Sequence, residues 1–172
     1  ENNEKIFSIS GYSFNLPSLE KFEKDFYVGY RSSSWGWGTW KKDWNQIDWE
    51  INDYKEFIQS KDLNKKFKKG GSDLPRMLKN QMNGKIDSWA IRWCYNQFRK
   101  DQLTIFPKKS KIESIGFGSS ATHTKKTKRF DTVLDISDQT KFSFEKNIII
   151  DSKLVKEHKS KFSILARLLD RL

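Results

Sequence analysis

Three clusters in this 172-residue chain carry side chains suited to chemistry. The first is Trp35-Gly36-Trp37-Gly38-Thr39-Trp40, which opens a stretch with five Trp between residues 35 and 49. Flat indole faces beside bare glycine backbone suit the apolar C–H faces of sugar rings. A satellite core under a tight turn would use the same residues. The second cluster is Asp87-Ser88-Trp89-Ala90-Ile91-Arg92-Trp93. A carboxylate just before a helix is stabilised by free N–H groups and the helix dipole, so Asp87 reads as a helix cap or as a general base fixed at the lip of a cleft. Arg92 can pair with a phosphate or with a surface acid. The third cluster is Ser119-Ser120-Ala121-Thr122-His123, followed by Lys125, Lys126, Lys128 and Arg129. His123 has no second metal ligand near it in sequence. The cations after it can neutralise a phosphate leaving group or bind nucleic acid, and spacing alone does not separate the two.

The elements that must position these clusters follow from periodicity. Residues 5–10 alternate apolar and polar and read as a strand, and residues 25–30 read as a second. Thr39 is placed to cap a helix running to about Ile47, on which Trp40 and Trp44 would share an inward face. Residues 53–69 read as one or two short helices stopped by Gly70-Gly71. Ser72 or Asp73 then caps a helix with Pro75 in its first turn. Gly84 ends it, and Asp87 or Ser88 opens the next, whose Ala90, Cys94 and Phe98 repeat beside Ile91 and Tyr95 as a core stripe. Leu103–Phe106 is a strand, and Phe142, Phe144 and Ile148–Ile150 give strand-like pieces. A basic amphipathic helix is expected at about 152–171, with Leu154, Phe162, Leu165, Leu168 and Leu169 on its apolar side. The pattern predicts a single α/β domain over 1–172, a mixed short sheet with several helices.

Composition sets outer bounds. With 33 Lys+Arg against 22 Asp+Glu the formal charge is +11, which favours polyanions: nucleic acid, anionic lipid or phosphorylated small molecules. Only 35% of residues are apolar, but 15% are aromatic, enough to build a core. No run approaches the ~18 apolar residues that a spanning helix needs. The single Cys94 excludes an internal disulfide framework and fits a reducing, cytoplasmic compartment. The start at Glu1-Asn2-Asn3, with neither Met nor an apolar signal core, gives the expectation of a cut form. No Walker loop, dinucleotide fingerprint, zinc cluster or Ser/His/Asp signature is present.

Taken in order, Trp35-Gly-Trp-Gly-Thr-Trp40, Asp87-Ser-Trp-Ala-Ile-Arg-Trp93 and Gly116-Phe-Gly-Ser-Ser-Ala-Thr-His123 resemble the acceptor-side half of family 2-like bacterial glycosyltransferases of the GT-A fold. The likeness spans residues 27–123 and fades beyond about residue 130. It implies the C-terminal part of a nucleotide-diphospho-sugar transferase that moves a sugar to a hydroxyl with inversion, in surface polysaccharide or lipopolysaccharide synthesis. Asp87 would be the base, with Asp73 the runner-up. Trp35, Gly36, Trp37, Gly38, Arg92 and Ser120 would line the substrate region. His123 would help hold a divalent metal, Mn or Mg, against the diphosphate. Expected partners are a nucleotide-sugar donor, a saccharide or lipid-linked acceptor and the inner face of an anionic membrane, with no nucleic acid. The family's nucleotide-binding half and its Asp-x-Asp motif are not in this sequence; Asp48-Trp49-Glu50 is the nearest acidic pair, and Ala121 stands where the family has Gly. A fragment inactive alone is therefore expected. Two rival readings remain: a Trp-rich nucleic-acid or polyanion-binding module, and a non-catalytic carbohydrate-binding domain.

Overall fold

The alternating apolar residues near the N-terminus form β1 (Ile6–Ser10) in the computed structural model, which describes residues 3–113, 129–144 and 147–169. It lies inside a four-stranded mixed sheet with β2 (Phe26–Gly29), β3 (Trp37–Thr39) and β4 (Leu103–Pro107), in the order β2-β4-β1-β3. β1 runs parallel to β4, while the outer pairs are antiparallel. The fold class is thus α/β, with helices packed on the sheet.

β3 is an element that the sequence pattern leaves unassigned. Trp37, Gly38 and Thr39 pair with Ser10, Ile9 and Ser8 as an edge strand. Alternate Trp and Thr side chains suit a pleated surface, and Gly38 takes the opposite face, where no atom would meet an added Cβ within 4 Å. Thr39 does not cap a helix. Its Oγ1 donates to the Phe7 carbonyl at 2.5 Å, and Trp40 takes the cap position of α1 (Lys41–Trp44), a single turn that stops short of Ile47.

The middle of the chain folds much as its pattern suggests, into α2 (Tyr54–Gln59), α3 (Lys61–Phe67), α4 (Leu74–Met82) and α5 (Trp89–Arg99). Ser60 caps α3 by accepting from the Leu63 N–H. Ile91, Cys94 and Tyr95 of α5 are buried against Phe57, Phe67, Leu74 and Leu78. Burying each such apolar side chain contributes about 1.5–3 kcal/mol, so this cluster anchors α5 firmly.

At the C-terminal end, the single expected helix is two. α6 (Ser152–Ser160), capped by Asp151, is separated from α7 (Ile164–Leu169) by a bend at residues 161–163. Phe162 turns into the core, and Ser163 caps α7 through Oγ accepting from the Ala166 N–H at 3.0 Å. The apolar set is therefore split. Leu154 and Phe162 are buried, whereas Leu165, Leu168 and Leu169 face solvent. Phe142, Phe144 and Ile148–Ile150 form no strand; Phe142 and Phe144 instead pack on Phe26 at ring distances of 5.3 and 4.7 Å. Among the described residues no helix is long and apolar enough to cross a membrane.

Candidate functional site

α5 begins where Asp87, Ser88, Trp89 and Arg92 gather. Ser88 is its cap, with Oγ accepting from the Ile91 N–H at 3.4 Å. Asp87, one residue earlier, is not the cap, because the shorter Ser side chain already occupies the free N–H group. The Asp87 carboxylate is 97% exposed, and its one ion-pair partner among the described residues is Arg92, with Nη2 at 3.6 Å. Arg92 in turn donates from Nη1 to the Trp49 carbonyl at 3.3 Å. The arginine is tied to the Trp segment and leans toward Asp87, leaving the carboxylate open to a ligand.

A wall of indoles stands beside this pair. Trp37 stacks on Trp44 with centroids 5.6 Å apart and planes 23° apart, and it touches Trp89 at 5.4 Å and Trp93 at 4.6 Å. Trp93 is fully buried against Phe7 and backs the wall, while Trp44 and Trp89 keep nearly two-fifths of their surface in solvent. Trp40 is not part of it. Trp40 and Trp44 do not share a helical face, because Trp40 precedes the helix in extended backbone and packs with Ile6, Val28 and Leu103 instead.

Trp35 is also parted from Trp37. Its ring meets Tyr12 edge-on at 4.6 Å and Phe130 at 5.5 Å. Gly36 turns the chain between the two indoles at φ +52°, with its carbonyl accepting from the Gly11 N–H. A Cβ there would lie 2.7 Å from Ile112 Cδ1. Gly36→Ala is expected to cost about 1–2 kcal/mol from the left-handed backbone alone, and Gly38→Ala much less, as compared by urea unfolding.

A cavity of about 210 Å³ opens beyond Trp35, between Ser33, Ser34 and the Ala90–Ile91 turn of α5 on one side and Phe130, His158 and Phe162 on the other. Arg31 lines it and donates to Asp73 behind the wall through two bonds of 3.0 and 3.2 Å. Asp73 stands at the cap position of α4 but makes no cap bond, because both its oxygens go to the guanidinium fork. The guanidinium lies 3.7 Å above the Phe162 ring. Cys94 donates to the Ser32 carbonyl at 3.5 Å, and burial pushes its thiol up from the ordinary value.

His158 is enclosed by Phe14, Phe106 and Phe162, and neither ring nitrogen has a hydrogen-bond partner among the described residues. Burial, with the Arg31 charge adding to it, holds its pKa down at about 3. As pH falls below the ordinary His value of about 6.5, the unfolded chain takes up this proton first. The stability is fully present above that pH and is lost as pH falls toward about 3. Between pH 7 and 5 the loss is expected to be about 2 kcal/mol. Urea unfolding at the two pH values checks it, and His158→Phe should remove most of the difference.

A buried polar chain fixes these parts to the sheet. Ser8 and Thr104 hydroxyls meet at 2.8 Å, Thr104 donates to Gln97 Oε1 at 2.7 Å, and Ser32 donates to the same oxygen. β1, β4, α5 and the Ser32–Ser34 loop are thereby held in one register. Sequence reading missed Arg31, Gln97 and His158. The visible hints were a cation two residues after β2 and a Gln on the buried side of α5.

The expected site residues are thus distributed. Asp87 and Arg92 come together just before and within α5, with Trp37 packed on Trp89 there, whereas Trp35 lines the cavity, Gly36 lies against Ile112 and Gly38 faces the other side of the sheet. Ser120 and His123 lie outside the described residues. Among the described residues no three His, Cys, Asp or Glu side chains are grouped to hold a metal ion, so these residues do not themselves form the expected Mn or Mg site. No protein-family model, curated protein or solved structure matches the chain.

Proposed function

We propose that this chain is the acceptor-side part of an inverting glycosyltransferase, the C-terminal portion of a GT-A-type fold. The observation that carries the reading is the indole wall of exposed Trp44 and Trp89 and half-buried Trp37, next to the open Asp87 carboxylate. Apolar sugar faces stack on indoles, and a carboxylate with solvent-facing oxygens can accept a hydroxyl proton from the sugar so placed. In the reaction, the acceptor oxygen forms a bond to the anomeric carbon of the donor while the bond from that carbon to the nucleotide's phosphate oxygen breaks. The acceptor proton passes to an Asp87 oxygen, and the nucleoside diphosphate leaves. Arg92 positions the carboxylate. Donor-nucleotide binding is assigned to a part of the enzyme outside these residues, and the divalent metal to His123 with ligands from that part. No step through the metal follows from the residues described.

The reading is tested by incubating the whole enzyme with a nucleotide-sugar and a panel of oligosaccharide acceptors. Release of nucleoside diphosphate and inversion at the anomeric carbon, followed by NMR, are expected. Polyanion binding is a second reading, favoured by Lys61, Lys65 and Lys68 along one side of α3 and the turn that follows it. Tight single-strand binding with a steep salt slope, and indifference to sugars, would favour it.

A further inference from the structure

α7 carries its apolar side outward. Ile164, Leu165, Leu168 and Leu169 are 65%, 66%, 53% and 61% exposed, while Ala166 and Arg167 are partly covered. Arg167 Nε donates to the Ser163 carbonyl at 3.2 Å, so the polar side chain is the one tied down. The spacing i, i+1, i+4, i+5 puts the four apolar residues on one stripe, which a helix of a water-facing domain normally buries. Cations flank the stripe. Lys153, Lys156 and Lys159 are exposed along α6, Lys161 sits at the bend, and none of these lysines has an ion-pair partner among the described residues. Glu157, the one acid within α6, is engaged by the Ser18 N–H and hydroxyl at 3.0 and 2.5 Å.

We propose that α7 and the bend before it dock on an anionic lipid surface. The four apolar side chains enter the boundary between headgroups and acyl chains, and the α6 lysines meet lipid phosphates. Charge selects this occupant. A second copy would bring the same unpaired lysines and a +11 chain against their like, whereas an anionic bilayer complements them. The docked surface adjoins the cavity, since Phe162 in the cavity wall precedes Ile164 by two residues. The proposal does not depend on the glycosyl-transfer reading.

The test is co-sedimentation of the 172-residue chain with vesicles of phosphatidylcholine alone, or with about one-third phosphatidylglycerol to supply negative surface potential. Binding to the anionic vesicles is expected, weakened about tenfold or more in the neutral ones and by high salt. A Leu165→Asp/Leu168→Asp variant should bind about tenfold more weakly or worse, as should Lys153→Ser/Lys156→Ser/Lys159→Ser. Both should keep the wild-type circular dichroism and Tm, because every altered side chain is exposed. No vesicle binding, equal binding to both compositions, or unchanged binding by the Leu variant would overturn the proposal. So would a wild-type dimer in light scattering that the Leu variant dissociates without any vesicle binding.

Discussion

Asp87→Asn is expected to lower glycosyl transfer by the whole enzyme about a thousandfold, the usual range for removing a positioned general base. The substitution keeps the shape of the side chain and removes its capacity to take a proton. The loss should fall on kcat, with acceptor KM little changed, because the indole wall that would hold the acceptor is untouched. Folding should be unaffected as well, since the carboxylate is almost wholly exposed and Ser88, not Asp87, caps α5. A variant with near-wild-type kcat would remove Asp87 as base. Steady-state kinetics with varied acceptor, together with a melting curve, gives the complete comparison.

Asp73→Ala should act on stability instead. Its carboxylate and the Arg31 guanidinium are both mostly buried, at 9% and 14% exposure. Removing one partner leaves a desolvated charge without compensation, which costs about 3–5 kcal/mol. For a chain of this size that corresponds to a Tm drop on the order of 10 °C. Replacing both partners together with apolar residues, as in Arg31→Met/Asp73→Leu, should cost less than Asp73→Ala alone, because no unpaired charge remains. This separates Asp73 from a catalytic role: both its oxygens are bonded to Arg31 and its side chain is 9% exposed, so it offers a substrate little access. Transfer per folded molecule should therefore survive Asp73→Ala far better than Asp87→Asn.

Much of the fold was legible because its signals are local. Alternation marked β1, a short aromatic and β-branched run marked β2, and the 3.6-residue stripe marked α5 with its Ile91, Cys94 and Tyr95 side inward. The C-terminal helix was misread for a physical reason. Leu154, His158 and Phe162 recur every four residues, so the pattern continues through the bend without a break. What interrupts it comes from far away in sequence. Ser72 donates to the Phe162 carbonyl at 2.9 Å, and Arg31 sits over the Phe162 ring. β3 was not marked, because Gly36 and Gly38 break any strand pattern and its pairing with β1 is a tertiary fact. The candidate site was only half legible. Asp87 and Arg92 lie close in sequence, so their proximity at the start of α5 could be foreseen. The gathering of Trp37, Trp44, Trp89 and Trp93 into one wall joins an edge strand, a single helical turn and α5. No spacing rule connects those three pieces.

The most direct test of the acceptor surface is to follow the tryptophan indole N–H signals by NMR while titrating the chain with oligosaccharides containing hexoses, N-acetylhexosamines or uronic acids. The account predicts that the Trp37, Trp44 and Trp89 signals shift with a saccharide, that Trp40 does not, and that the shifts persist at high salt. Indole signals that ignore every saccharide, but move with a single-stranded oligonucleotide and lose that response in salt, would contradict it.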